Sequence, residues 1–430
     1  MPEETANSNG DGSDRGMVIE SDKEYLKSMR TNGNPLSKKD YQYTTQMNRY
    51  FLKPIGMWPT RPEAGICEKI LIQIQRCCCY FLMFFLLVAC VLHKFLVEKD
   101  PAIQLKMIGP ISFCLMAIMK FSFLVFHRHD IYDCFKHIAL DWASVESSSE
   151  REIMLNDAKF GRFLASLCAG FMYGGGFFYH TIMPLSSGVI VTPDNKTLRL
   201  LTHPVYDPFF DAQTSPTYEI VVVTHWCSAF VLYTVTIGAC SIAAVFAIHA
   251  CGQFKVVVSR LNHLVDGDDE KRDTVDERMA NIVELHLRTL NFVNNLEGVL
   301  NEVCLVEFIG CTMNICFLGY YFMSEWENSE TISTVTYCVL FVSFTFNIFI
   351  FCYIGEKLTE ESKHVGTMTY MIEWYRLHHT KAQGLILILI ISKYPARITA
   401  GKMAELSMTC FSNVLKTAFT YLNLLRTVAS

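Results

Sequence analysis

The chain has 430 residues, 51% of them hydrophobic, a formal net charge of −5 and a mean hydropathy of +0.24. A soluble chain of that length divides into domains with alternating polar faces. Here the apolar residues instead run in unbroken blocks near twenty residues long, the length an α-helix needs to cross roughly 30 Å of hydrocarbon. These features exclude an ordinary soluble enzyme, and the absence of a basic stripe with interleaved aromatics excludes a nucleic-acid binder.

Residues 1–76 read as a polar cytoplasmic segment, opening on "MPEETANSNGDGSDRG" without the short apolar run and cleavage site of a signal peptide. Six spans follow: Cys77–Leu96, Met107–Phe126, Phe163–Met183, Ile220–Ile248, Val299–Met323 and Ile332–Ile354. Most cysteines lie inside these apolar runs, as Cys90, Cys114, Cys168, Cys240, Cys316 and Cys352 do, and read as small packing residues. Cys77, Cys78 and Cys79, at the inner end of the first span, are candidates for acylation. No pair has zinc or redox spacing, so no metal or other cofactor is expected.

Lysine and arginine in the short loops set the orientation. The N-terminal segment carries Lys38, Lys39, Arg49, Lys53, Arg61, Lys69 and Arg76, and the second, fourth and sixth connections are similarly basic. The alternate loops hold little: Lys99 and Lys106 in one, Lys196 and Arg199 in another, and none in "SEWENSET". The N-terminus is therefore expected in the cytoplasm and, with an odd number of spans, the C-terminus outside. The sequon "NKT" at Asn195 falls in an expected outer loop as a glycosylation site. This topology is opposite to that of a G-protein-coupled receptor. "FHRHD" after the second span is not a DRY box, and no NPxxY closes the seventh.

The inner loops look ordered. "NIVELHLRTLNFVNNLEGVLNEV" puts Ile282, Leu285, Phe292, Leu296, Val299 and Val303 on one helical stripe, so the fifth span is expected to continue into the cytoplasm. Glu356–Leu377 extends the sixth likewise. Such stripes need a partner, either a packed intracellular helical layer or the lipid surface. "GLILILIISKYP" (Gly384–Pro395) is too short to span and is interrupted by Pro395. The amphipathic stretch from Thr399 to Val428 is long enough to be the seventh span.

At 100° per residue, Asn413, Thr417, Thr420, Leu424 and Thr427 of that last stretch share an arc of roughly 80°. A polar stripe in a span must face protein or water. It either packs inside its own bundle, with hydroxyls bonded back to their own carbonyls, or joins other copies around an aqueous axis. Leu424, apolar within a polar stripe near the outer end, suits a dewetting constriction. His225, His249 and "LHH" at Leu377–His379 lack the spacing of a metal or proton-relay site and read as solvated or capping histidines.

The stretch "FCYIGEKLTEES", "YMIEWY" and "ISKYPARITAGKMAELSMTCFSNVLKTAFTYLNLLR" resembles the C-terminal signature of insect odorant receptors. "RYFLKPIGMWP" (Arg49–Pro59) is similar to their N-terminal motif, and "SPTYEIVV" to the entry into their fourth span. Lys393 stands where the family commonly has Gln, and the long second intracellular loop of the shared coreceptor is missing, so the chain resembles a tuning subunit. The resemblance implies an all-α membrane protein of seven transmembrane helices, with a cytoplasmic segment 1–76, helices one to six over 77–355, an intracellular anchor part of helix 7 over 356–395 and its pore-lining part over 396–430. The helix breaks at Pro395, and the gate falls on Leu424 and Val428.

The same resemblance implies a four-subunit, ligand-gated, non-selective cation channel formed with the coreceptor in the plasma membrane of olfactory dendrites. Small volatile odorants would bind among the second, third, fourth and sixth spans, with Phe113, Met116, Gly170, Tyr173, Phe177, Trp226, Phe230 and Tyr337 as candidates. "YGGG" (Tyr173–Gly176) marks either cavity space or close helix approach. The competing readings are a receptor signalling through G proteins, and a transporter, which would need internal repeats and paired broken helices.

Overall fold

The computed structural model describes residues 35–59, 65–145, 147–187, 189–191, 197–199, 201–205, 213–267, 274–327 and 331–429; Asn195 of the sequon lies outside them. The described chain is mostly helical. In order it comprises α1 (Pro35–Leu52), α2 (Ile66–Leu92), α3 (Pro101–Lys106), α4 (Ile108–Phe126), α5 (Arg128–Ser144), α6 (Ser148–Phe177) and α7 (Met183–Ser187), then α8 (Thr217–Asn262), α9 (Val275–Glu327), α10 (Thr331–Met371), α11 (His379–Ser392) and α12 (Met408–Ala429). Two π-turns, His93–Val97 and Phe178–Ile182, continue α2 and α6. Two small antiparallel hairpins complete it: β1 (Val189–Val191) with β2 (Thr197–Arg199), and β3 (Thr399–Ala400) with β4 (Ala404–Glu405).

Five helical segments among the described residues have the length and composition to cross a membrane: Ile66–Val97, Ile103–Phe126, Thr217–Asn262, Val275–Trp326 and Thr331–Met371. The α6 and α12 helices, of 30 and 22 residues, have the length. The third sequence-predicted span falls on α6 and its π-turn, where Gly174, Gly175, Gly176, Ser166 and Arg162 dilute the apolar character. In α12 the polar stripe does so.

At the centre stands α8, whose most apolar stretch is wholly buried. It packs against α6, α10, α9, α1, α2 and α4. Small residues permit this: Gly238, Ala239, Cys240, Ser241, Ala243, Ala244, Ala247 and Ala250 form a run of short side chains that lets neighbouring helices approach closely. The Leu52 side chain, from the N-terminal segment, comes against Gly238 in mid-helix. The "RYFLKPIGMWP" motif thus turns into the bundle: Leu52 and Ile55 are fully buried, and Gly56, at φ 68°, closes the turn. The Arg76 guanidinium donates to the Gly56 carbonyl at 2.9 Å.

Ion pairs tie the opposite end of the bundle together. Arg151 of α6 grips Asp40 of α1 at 2.6 and 2.9 Å, Arg260 of α8 holds Glu150 at 2.6 and 3.0 Å, and Lys255 holds Asp157 at 2.6 Å. Asp141 of α5 accepts from His249 of α8 at 2.8 Å and pairs with Arg288 of α9 at 2.8 Å. Burial pushes the Asp141 carboxyl up, but His137, His249 and Arg288 outweigh it and hold the group below its ordinary value. His249 is therefore a buried partner of a carboxylate, and His225 is also buried. The expectation that these two histidines are solvated or capping is corrected, because both point from α8 into packed neighbours.

The break before the last helix is braced. After α11 ends at Ser392, Ala396 N–H donates to Ser362 Oγ at 3.0 Å, and a hairpin follows in which Gly401 and Lys402 both take φ of 59°. Glu297 of α9 accepts from the Thr399 backbone at 2.9 Å and from its hydroxyl, while Gly401 N–H donates to the Asn301 carbonyl at 2.8 Å. Residues 399–407, expected to begin the seventh span, are therefore hairpin and linker. Ser407 caps α12, accepting from Cys410 N–H at 3.1 Å.

Candidate functional site

A cavity of about 60 Å³ lies where the N-terminal halves of α4, α8 and α10 meet the C-terminal halves of α6 and α9. The aromatic packing is dense. Phe113 of α4 meets Tyr233 of α8 at 5.1 Å and Phe344 of α10 edge-on at 5.4 Å. Tyr321 of α9 meets Tyr337 of α10 at 5.5 Å. The π-turn after α6 brings Tyr179 and His180 onto the wall, as such local widenings do at functional sites. Gly176 lets Tyr233 lie against α6, since a Cβ there would sit 2.5 Å from the Tyr233 ring. Gly175 similarly admits Ser343 and Leu340, so the "YGGG" motif serves close approach at its second and third glycines.

Several polar wall groups are already satisfied within the protein. Tyr321 O–H donates to the Leu105 carbonyl at 2.7 Å, Asn314 donates to the Gly310 carbonyl at 2.8 Å and accepts from Ser112 at 3.1 Å, and Lys106 pairs with Glu325. His180 and His203 stand together, with their Nε2 atoms 3.2 Å apart. Burial, reinforced by His180 and His225, holds the His203 imidazole well below its ordinary value, so it is neutral.

Of the eight ligand-binding candidates, Phe113 and Tyr337 line this cavity. Met116 is buried one turn along α4, against Gly310 of α9. Tyr173 stacks on Phe230 at 6.0 Å and donates to Thr234 at 2.8 Å, because the Thr234 hydroxyl is committed to the Phe230 carbonyl at 2.6 Å. Trp226 and Phe230 line a separate open groove with Pro54, Gln75, Cys78 and Leu82, and Phe177 and Gly170 are exposed. The cavity draws on the second, fourth and sixth expected spans and also on the fifth; the choice of face on α6 and α8 depended on helix rotation, which apolar periodicity does not fix in a helix hydrophobic all round.

A second polar constellation lies further along α4 and was not anticipated. Lys120 of α4, two turns from Phe113, donates to Thr236 of α8 and to Glu307 of α9, each at 2.9 Å. Asn347 of α10 donates to the same carboxylate, Cys311 does so at 3.0 Å, and Cys168 of α6 donates to Asn347 at 3.6 Å. Lys120 and Glu307 are wholly buried. A signal existed: Lys120 is the one charge between Met107 and Phe126, and Glu307 sits deep in the fifth apolar block.

The last helix presents two unlike sides. Val414, Ala418 and Leu422 are buried against α9 and α10, with Phe411 edge-on to Phe349 at 5.5 Å. Asn413, Lys416, Thr417, Thr420, Leu424 and Thr427 are exposed on the other; Val428 lies in the helix, its side chain undescribed. Thr420 and Thr427 bond back to the carbonyls of Lys416 and Asn423 at 2.8 and 3.0 Å. The α9 helix separates this helix from the cavity. Leu318 and Tyr321 face the cavity, while Gly319 between them takes the Leu422 side chain, which a Cβ there would meet at 3.1 Å.

Relatives and solved structures agree with this architecture. The chain is 25% identical to Odorant receptor 13a of Drosophila melanogaster over 252 residues, 52% of this chain and 60% of that one. With Odorant receptor Or2 of Anopheles gambiae it shares 22% over 318 residues, 72% and 81% of the two chains. With Odorant receptor 10 of Aedes albopictus it shares 23% over 249 residues, 58% and 63%. The match to the first thus spans less than two thirds of that protein's length. The insect olfactory receptor OR5 of Machilis hrabei, solved with eugenol, superposes with a TM-score of 0.73 over 90% of this chain and 100% of that one, at 15% identity. Its structure without that ligand gives 0.71. The family description 7tm Odorant receptor matches residues 100–419, well over half of the sequence, and the chain belongs to the insect odorant receptor family.

Proposed function

We propose that the chain is the odorant-binding, tuning subunit of a ligand-gated, non-selective cation channel, assembled as four subunits with the odorant receptor coreceptor in the dendritic plasma membrane. Seven helices (α2, α4, α6, α8, α9, α10 and α12) cross the bilayer, with the N-terminus in the cytoplasm and the C-terminus outside. The inward parts of α9 and α10 form the intracellular anchor with α11. The observation that carries the reading is the two-sidedness of α12: its apolar stripe is packed on α9 and α10, and its polar stripe is left open. Lipid cannot satisfy that open stripe, whereas a shared aqueous axis can. Exposed Ile386, Leu387 and Ile390 on α11 supply apolar surface for a neighbouring subunit.

In this reading a small volatile ligand enters the aromatic cavity and is held largely by burial. Its contact with Leu318 and Tyr321 biases α9, and Leu422 passes the change to α12, moving Leu424 and Val428 away from the axis. The ligand must bind the open arrangement more tightly than the closed one. Thr417, Thr420, Asn413 and Thr427 line a pore with few charges, which suits weak selectivity among cations. Co-expression with the coreceptor and current recording across an odorant panel tests this. Odorant-evoked cation currents that persist when G-protein cycling is blocked are expected; currents abolished by that block would overturn it.

A further inference from the structure

Two histidines on the cavity wall, His180 and His203, with His225 behind them, have a hydrogen-bonding order set by their partners. His180 Nδ1 lies 3.2 Å from the Gly176 carbonyl, which only accepts, so this nitrogen carries a proton. In the neutral ring Nε2 then accepts, and its partner 3.2 Å away, Nε2 of His203, must be the donor. His203 is consequently left with an unprotonated Nδ1 on a cavity-wall residue. No carboxylate contacts either ring among the described residues, which favours the neutral forms. His225 lies edge-on to His203, ring centres 5.7 Å apart. It is 2% exposed, and neither of its nitrogens has a hydrogen-bond partner among the described residues. A buried imidazole left unpaired is a costly arrangement, and in its neutral form one of the two nitrogens is a donor.

We propose that His203, backed by His225, is a polar subsite that selects ligands bearing a hydroxyl group, small alcohols, over ethers and carbonyl compounds of the same skeleton. A hydroxyl donates to His203 Nδ1, the acceptor the wall offers. An ether or carbonyl oxygen only accepts, and leaves His203 Nδ1 without a donor. The cavity volume corresponds to about four to six waters, so the class is small, an alcohol of about five carbons or fewer. This assignment rests on the odorant-gated reading.

The test is a dose–response series on the full chain co-expressed with the coreceptor, using C3–C5 alcohols and the isomeric ethers. The alcohols are expected to act at about tenfold lower concentration than their ether isomers, the weight of one hydrogen bond. His203→Phe, which keeps the ring volume, should weaken the alcohols alone and bring each pair within about threefold of each other. Equal potency of alcohol and ether in the unmodified chain overturns the subsite, as does a pair difference that survives His203→Phe. Should His203→Phe fail to reach the membrane, the comparison in the unmodified chain decides. Silence toward the whole series in a chain that answers other odorants also overturns the subsite, whereas silence toward every odorant, with the chain at the cell surface, would instead remove the channel reading beneath it.

Discussion

The central helix α8 and the terminal helix α12 are both long enough to span a bilayer, yet they are finished in opposite ways. The first is enclosed by six neighbours, and even its serines and threonines have partners inside: Ser241 donates to Asn48 at 2.8 Å and Ser228 to the Leu82 carbonyl at 2.9 Å. The second covers one stripe and leaves Leu424 58% exposed beside a row of polar residues. A helix whose hydroxyls are answered by neighbouring helices of its own chain specifies a fold. One whose polar face stays exposed, with Thr420 and Thr427 answered only by their own helix, is the kind of surface the proposed assembly would cover.

The difference can be broken most severely at the buried ion pair flanking α8. Lys120→Ala leaves the Glu307 carboxylate without its cation inside the bundle, a loss of about 3–5 kcal/mol. Little folded protein is then expected at the cell surface or in detergent, whereas Lys120→Met with Glu307→Leu should recover much of it. Thermal melting of the purified chain is the measurement, and a single variant as stable as the unmodified protein would refute the account. A milder disturbance is overpacking: Ala244→Leu on α8, a fully buried position whose backbone lies against Gly161 of α6, should destabilise by about 1–3 kcal/mol. The same kind of change on the open side of α12, Thr417→Leu, should shift stability by less than about 0.5 kcal/mol while reducing evoked current. Equal destabilisation by the two would erase the contrast. Leu424→Ala, finally, should leave folding unchanged and raise resting conductance without ligand; unaltered leak and gating would take that residue out of the gate.

Much of the scaffold was readable as blocks of apolar residues, because crossing hydrocarbon imposes a length and a composition on a helix regardless of its neighbours. The two-faced character of the last helix was equally readable, since its polar and apolar positions separate at helical spacing. The cavity was less so. Phe113 and Tyr337 were named with six residues that lie elsewhere, and Tyr233, Tyr179, His180 and His203 were passed over. On a helix that is apolar on every side, the sequence carries no mark of which side faces a gap. His203 reaches the wall from a connecting segment, and His180 through a π-turn, two placements with no local signature. Lys120 and Glu307, by contrast, were visible as isolated charges, and only their partnership was hidden.

What the sequence determined alone was the solvent each stretch requires: lipid for the apolar blocks, and water or protein for Asn413, Thr417 and Thr420. Those requirements follow from transfer energies that belong to the residues themselves. Tertiary structure decided which side of α4, α8 and α10 encloses a cavity, that His180 and His203 meet on its wall with His225 behind them, and that α9 stands between it and α12. Those depend on helix rotation and close approach, set by contacts between residues more than a hundred positions apart, as Phe113 and Tyr233 are.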